Sequence, residues 1–375
     1  MQSLPAQYRQ RDDEDLSAAI AARKGELGER LVILGHHYQR DEVIRFADFA
    51  GDSLKLSQLA AEQTAAAYIV FCGVHFMAES AAVLSGPGQT VCLPNFAAGC
   101  SMADMAPAAA VDAALADVSA RAGARVVPIT YVNSTAAVKA ATARAGGACC
   151  TSSNVRNVFA WALRPEAEGG AGGAKIFAIP DQHLGRNTAV ALGYGLDACA
   201  VYDPAQPGGG LTDEQVVAAT FLLWKGHCYV HQRFLPSDVE RARAEVPGVR
   251  VIVHPECPHE TVRLADAAGS TAQILRAVEA AEPGTKWAIG TEAHLVARLA
   301  DRHPEQEIHL LSAVPTVCAQ MMQIDLPHLL WCLDAIAAGA PVQEVAVPEA
   351  VAADARTALD RMIAIKATPG VTPSS

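Results

Sequence analysis

At roughly 150 residues per domain, a chain of 375 residues holds about two or three domains, and 51% hydrophobic with 18% charged residues excludes extensive disorder. The 29 basic and 40 acidic residues leave a formal charge of −11; no Lys/Arg run reaches the roughly five to eight residues of a nucleic-acid patch, so no nucleic-acid partner is expected. No apolar stretch approaches the about 18 residues that span a bilayer, and Met1 to Asp15 is polar and charged, so no membrane partner and a cytoplasmic location are expected.

Ten cysteines are too few for a disulfide scaffold, and most are expected to be small buried residues, with thiols or metal ligands favoured over bridges. Aromatics make up only 5%, and alanine is abundant, which suits helices packed closely on sheets. An α/β fold is expected.

In chain order, eight short β-rich runs are each followed by a polar turn and an Ala/Leu helical pattern, the alternation of parallel βα units. They are 31–34 before His36, 68–72 before Met77, 126–130 before Asn133 and 148–150 before Ser152. The series continues with 175–179 before Asp181, 249–253 before His254, 287–289 before Glu292 and 308–311 before Pro315. Ligands of parallel sheets sit beyond the carboxyl ends of the strands, so these turns are the expected lining of a site.

Laid side by side, the units read as one pattern used three times. The sets open with VILGHHYQ, VPITYVNS and VIVHPECP, and continue with GVHFMAESAAVL, CCTSSNVRNV and AGSTAQILRAV. PDQHLG and GTEAHLVARL are third members of two sets, and the sets end near Cys100, Cys228 and Cys318. Their separations are 228 − 100 = 128 and 318 − 228 = 90, so the middle set carries 128 − 90 = 38 extra residues, and the Gly/Pro-rich stretch 185–211 is expected to form a loop or lid. The head, 1–15, and the tail after about Thr368 are expected to fray. Helical periodicity at 326–336 and 351–365 gives a C-terminal pair expected to pack on the first unit.

Three thiolates from three units would make a cluster-bearing centre whose open iron acts as a Lewis acid, although no CxxC announces such a site and three buried structural cysteines satisfy the same pattern. His36, His37 and Tyr38 after a strand offer proton transfer. His254 and Glu256, two apart, point to one side of an extended segment; a surface turn is the plain alternative. Ser53, Ser152, Ser153, Ser270 and Thr271 each precede a helical pattern, as N-caps or as anion ligands with backbone donors. Tyr131 and Asn133 are placed to hydrogen-bond an anion. No GxGxxG after a strand, no GxxxxGK[ST], no HExxH and no GxSxG is present, so nicotinamide Rossmann enzymes, P-loop NTPases, zincins and α/β-hydrolases lose their main signal.

The strings GHHYQ, GDSLKLSQ, FCGVHFMAE, LPNFAAGCSMAD, YVNSTAAVKA, TSSN, PDQHLGRNT, KGHCYVH, HPEC, AAGST, GTE and VPTVC, in this order over roughly residues 30–325, closely resemble the quinolinate synthase A family of NAD biosynthesis. The resemblance implies three α/β/α domains with short parallel sheets, pseudo-threefold around a central cluster site. On this chain they fall at 16–105 plus 320–368, 106–230 and 231–319. It implies one 4Fe–4S cluster held by Cys100, Cys228 and Cys318, with the fourth iron left for substrate. It also implies condensation of iminoaspartate with dihydroxyacetone phosphate to quinolinate, releasing phosphate and two waters. His36, Ser53, Tyr131, Val132, Asn133, Ser152, His254, Pro255, Glu256 and Thr271 match substrate-contacting positions, with Tyr38 and Ser270 beside them. His36, Tyr38 and Glu256 are the expected proton carriers. An iminoaspartate-producing oxidase or dehydrogenase is the implied coupled enzyme. Some family members carry CxxCxxC at the third ligand; here only Cys318 is present, so no second redox role is expected. Cys257 and the remaining cysteines are expected to pack. The rival readings are a zinc-dependent aldolase or hydratase using the same thiols and histidines, and a cluster-bearing sensor without chemistry.

Overall fold

A computed structural model describes residues 3–365. Their packing separates two compact units, 3–100 with 317–349, and 101–316 with 350–365. Among the described residues, thirteen strands form three sheets, and every strand pairing is parallel.

The first unit holds one sheet, of β1 (Leu31–His36), β2 (Phe49–Gly51), β3 (Tyr68–Cys72) and β4 (Thr90–Cys92), in the order β2-β1-β3-β4. β1 is the near-continuous apolar run LVIL that a strand buried on both faces requires. Leu16, Ile20 and Leu27 form the buried stripe of the helix Asp13–Leu27, which packs against Leu326–Ala337. Residues 3–15 do not fray as expected. Tyr8 is buried and its hydroxyl donates to Asp334 Oδ2 at 3.0 Å, while Asp12 caps the following helix through the Asp15 N–H. The expectation for the tail after Thr368 lies outside the described residues.

The second unit holds two sheets. One contains β5 (Val126–Tyr131), β6 (Ala148–Cys150), β7 (Lys175–Ile179), β8 (Cys199–Tyr202) and β9 (Phe221–Trp224), ordered β6-β5-β7-β9-β8. The other contains β10 (Arg250–Val253), β11 (Ala267–Ala268), β12 (Lys286–Gly290) and β13 (Glu307–Leu310), ordered β11-β10-β12-β13. All three sheets therefore share one order, second-first-third-fourth, with β8 added at the edge of the middle one.

That topology re-registers the triple pattern. The counterpart of β6 and β11 is β2, in FAGDSLKL, and GVHFMAES follows β3, the counterpart of β7 and β12. The extra residues of the middle set are not a lid: 185–211 completes the helix Gln182–Ala191 and then lays down β8. β8 is held because Tyr202 buries its ring against Phe177, with centroids 5.5 Å apart, and beside Trp224. The return turn passes so close that a Cβ on Gly209, at φ 68°, would meet the Tyr202 ring at 2.2 Å.

The C-terminal helical pair also divides. Leu326–Ala337 packs in the first unit, but Glu349–Ala364 buries Ala355, Ala358, Leu359 and Met362 in the second. Arg361 Nη1 donates there to the Gly147 carbonyl at 2.6 Å, and Asn154 Nδ2 to the Met362 carbonyl at 3.1 Å.

Candidate functional site

Register sets which residues emerge together at the strand ends. His36 is level with Gly51, Tyr131 with Cys150 and Val253 with Ala268. Two residues beyond the edge strand of each sheet stands a serine: Ser53, Ser152 and Ser270, since 51 + 2 = 53, 150 + 2 = 152 and 268 + 2 = 270. Only Ser270 is an N-cap, accepting from the Gln273 N–H in a capping box with Thr271 as the first helical residue. For Ser53 the cap is Asp52, which accepts from the Lys55 N–H at 2.9 Å. Ser152 lies in a turn closed by Asn154 Oδ1 on the Thr151 N–H. Capping thus accounts for one of the three, and Ser53 and Ser152 keep hydroxyls that no helix terminus claims as its cap.

In the first unit, His36 is buried at the end of β1, and its Nδ1 accepts the Tyr38 N–H at 3.1 Å. The His36 and Tyr38 rings meet edge-on at 4.7 Å. An Nδ1 that accepts must be unprotonated, leaving Nε2 as the N–H.

In the second unit, the strand ends converge more tightly. His254, Pro255 and Glu256 form a tight turn, not the extended segment expected: the Glu256 N–H donates to His254 Nδ1 at 3.4 Å, and the Cys257 N–H to the His254 carbonyl at 3.0 Å. Their side chains still meet on one partner, His231. The His254 ring stacks on it at 4.2 Å and 10°, Glu256 Oε2 is 2.7 Å from its Nδ1, and Thr291 Oγ1 is 3.2 Å from its Nε2. The Tyr131 side chain also bonds Glu256. Val132 ties β5 to β6 through its N–H to the Cys150 carbonyl, and the Asn133 Oδ1 is a buried acceptor without a hydrogen-bond partner. Across the two sheets, Ser153 Oγ donates to Ser270 Oγ at 2.8 Å.

The charges follow from this packing. Burial pushes the Glu256 carboxyl up, but the His231 and His254 rings and the hydrogen bonds from His231 and Tyr131 outweigh it and hold the group at about 2. His254, desolvated and beside His231, is held neutral at about 3 despite Glu256. Asp181 is raised well above the ordinary carboxylate range by burial and the nearby Glu256 charge, against backbone N–H donors.

The donor atoms of Cys228, His231 and Glu256 lie within 4.8 Å of one another. Burial sorts the ten cysteines. Cys72, Cys92, Cys149, Cys150, Cys257 and Cys332 are buried, and desolvation drives the Cys72 and Cys149 thiols to about 12 and that of Cys257 well above its ordinary value. Cys199, Cys100, Cys228 and Cys318 are half-buried. Cys199 opens β8 at its amino end, the wrong end for a site in a parallel sheet. Each of the other three follows the fourth strand of its set, with β4 before Cys100, β9 before Cys228 and β13 before Cys318. Cys228 and Cys318 each accept an i+4 backbone N–H, from Gln232 and Met322, and three residues on each begins a 3-10 turn. Half-buried thiols are the donor chemistry that an iron–sulfur cluster requires, which each of the three offers, Cys228 and Cys318 from like turns.

His231 was not singled out from the sequence. Cys228-x-x-His231 was its signal, because a ligand and an imidazole three apart share one face of a single turn. Thr291 carried no signal beyond its place at the end of a strand.

Known proteins are consistent with this geometry. A family model described as quinolinate synthetase A protein matches residues 18–364. A protein of Nocardioides sp. named quinolinate synthase is 52% identical over 357 residues, 94% of this chain and 90% of its own length. Proteins of the same name from Geobacillus thermodenitrificans and Acidobacterium capsulatum are 49% and 52% identical, covering 97% and 94% of this chain and 97% and 94% of their own lengths.

Proposed function

The chain belongs to the quinolinate synthetase A family, and we propose that it acts as a quinolinate synthase, condensing iminoaspartate with dihydroxyacetone phosphate to give quinolinate, phosphate and two waters. The observation that carries this reading is the juxtaposition of Cys228 with the buried His231–Glu256 pair. It sets a cluster-ligand thiol beside a preformed proton-transfer couple.

In this reading, Cys100, Cys228 and Cys318 would hold one 4Fe–4S cluster, which would supply Lewis acidity for loss of hydroxyl. The other steps belong to side chains. Ser152, Ser270 and Thr271, with the helix that begins at Thr271, offer hydroxyl and backbone donors to phosphate or carboxylate. Asn133 supplies an amide, and Val132 and Pro255 supply backbone. In the first unit Ser53, His36 and Tyr38 supply a hydroxyl, an imidazole N–H and a phenol. Holding both reactants on these groups converts carbon–carbon bond formation into an effectively unimolecular step.

Glu256 at about 2 is ionised at neutral pH and is a weak base on its own. It therefore acts through His231, whose Nδ1 faces Oε2 at 2.7 Å. With Nδ1–H held by the carboxylate, His231 Nε2 takes the proton as substrate is deprotonated, the carboxylate stabilises the imidazolium so formed, and Nε2 returns that proton to the hydroxyl as it departs as water. His36 and Tyr38 are the remaining proton carriers. Iminoaspartate is supplied by an oxidase or dehydrogenase acting on aspartate, and the reaction runs in the cytoplasm. Among the described residues, no helix is long and apolar enough to cross a membrane.

A second reading rests on the same three donors, because sulfur, imidazole and carboxylate within 4.8 Å also suit zinc. Anaerobic purification with iron, sulfide and zinc analysis, a visible spectrum with and without quinolinate, and an assay for quinolinate separate the two. A brown protein with about four irons per chain, a ligand-dependent spectrum and product formation is the expected result. Colourless, zinc-loaded protein under well-loaded conditions refutes it.

A further inference from the structure

The motif PDQHLGRNT opens the helix Gln182–Ala191, and none of its residues is assigned a role above. The helix lies hard against the sheet, since a Cβ on Gly185 would meet the Leu223 side chain at 2.7 Å. Its amino end is tied to the turn that carries Cys228. Asp181 Oδ1 accepts the Leu184 N–H at 2.7 Å, Asp181 Oδ2 accepts the Cys228 N–H at 3.2 Å, and the Gln182 N–H donates to the Gly226 carbonyl at 3.0 Å.

Six residues further on, roughly 9 Å along the axis at 1.5 Å per residue, the same helix holds the other loop. The Asn187 amide is buried, and its Nδ2 donates to the Pro255 carbonyl at 2.8 Å and to the Cys257 carbonyl at 2.9 Å, the residues on either side of Glu256. His259 Nδ1 lies 2.9 Å from Asn187 Oδ1, which fixes the end of the amide that faces the two carbonyls.

We propose that this helix is a brace setting Glu256 relative to the Cys228 turn, with Asn187 the positioning residue that grips the Glu256 turn from both sides. The Asn187 side chain bonds the Pro255 and Cys257 carbonyls and His259, so it acts on Glu256 through backbone. A side chain with two donors and one acceptor at those positions is required, so neither aspartate nor alanine substitutes. The catalytic consequence rests on the function proposed for Glu256, whereas the brace itself does not.

The test is hydrogen exchange on the full-length protein, read alongside steady-state kinetics of cluster-loaded enzyme. In Asn187→Ala, the His254 and Cys257 amides, which donate to the Gly290 and His254 carbonyls, should exchange about tenfold faster, with the β7 and β9 amides unchanged. Turnover should fall roughly 10- to 100-fold, with iron content intact and KM for both substrates within about threefold. Should Asn187→Ala not fold, His259→Phe gives a smaller change in the same direction, and His259→Gln, which restores a donor to Asn187 Oδ1, rescues it. Unchanged loop exchange in a folded Asn187→Ala or in His259→Phe overturns the brace, and faster exchange with wild-type turnover overturns the catalytic positioning. Faster exchange in a chain that makes no quinolinate even as wild type leaves the brace standing and removes the proposed reaction instead.

Discussion

Removing the imidazole at position 231 tests whether the buried Glu256 carboxylate beside Cys228 is held ionised by its partner. Both side chains of the pair are 2% exposed, and truncating one partner of a buried ion pair costs about 3–5 kcal/mol. A carboxyl moved from 4.5 to about 2 by its surroundings corresponds to ~3 kcal/mol at about 1.4 kcal/mol per pH unit. The two routes agree in magnitude. In the wild type, the lowered Glu256 value contributes stability that is present above pH 4.5 and is lost as pH falls towards 2. In His231→Leu the desolvated carboxyl moves above 4.5, so its contribution is present in acid and is lost as pH rises through that higher value. The stability gap between the two proteins is therefore widest above the variant's raised value, shrinks as pH falls through it, and closes only as pH falls from 4.5 towards 2. Urea unfolding of the metal-free proteins at pH 7 and pH 4, with Glu256→Leu and the double variant, completes a cycle in which the double variant recovers much of the loss. His254, held at about 3 in part by His231, weakens the wild type as pH falls from about 6.5 towards 3, and because that value changes when His231 is removed, the cycle is read in a His254→Phe background. A cost under about 1 kcal/mol at pH 7, or a gap that does not shrink in acid, refutes the ionised, imidazole-held carboxylate.

Three further outcomes follow from named contacts. Cys100→Ala, Cys228→Ala and Cys318→Ala should each lose the visible spectrum and iron, while Cys199→Ala, altered at the amino end of β8, should keep both; a fully loaded, active single variant removes that cysteine from the ligand set. Glu256→Gln should bind substrate, measured by the ligand-induced spectral change, yet turn over about 10²–10⁴-fold more slowly, and wild-type turnover excludes a catalytic carboxylate. Gly209→Ala forces a Cβ into the Tyr202 ring at positive φ and should lower stability by about 1–3 kcal/mol in thermal unfolding, with the iron content of folded protein unchanged; an unshifted Tm shows that the turn yields.

The sequence was most legible where one strand is buried on both faces. LVIL, YIVFC, VVPIT and KIFAI are apolar runs between polar turns, and they appear as β1, β3, β5 and β7 almost at their expected bounds. Phe49–Gly51 and Ala267–Ala268 were missed for the opposite reason. They are edge strands of three and two residues, half-exposed and without a run to betray them. Phe221–Trp224 was hidden differently, since FLLW continues the apolar sequence of the preceding helix, and periodicity cannot separate four buried strand residues from another helical turn. Cys199–Tyr202 was concealed by its Gly/Pro-rich surroundings, whose turns read as a loop although the strand between them is pinned by tertiary stacking on Phe177.

Misaligning GVHFMAES with the second strand of each set had a cost for the site, because it hid the equivalence of Ser53, Ser152 and Ser270, which becomes plain only from strand register. The same comparison explains what no repeat pattern predicts. Cys228 and Cys318 open like turns, but the position three residues on is His231 in one and Met321 in the other. A threefold scaffold therefore supplies like thiols at like places, while the asymmetric chemistry comes from departures between the copies. His231 stands where the third set has Met321, and there the Glu256 turn of the neighbouring sheet brings Oε2 to 2.7 Å from its Nδ1. If that asymmetry is what the reaction uses, His231→Met, which makes the middle turn like the third, should retain the thiol set and the iron while losing turnover, and retention of full turnover would return the chemistry to the symmetric part of the fold.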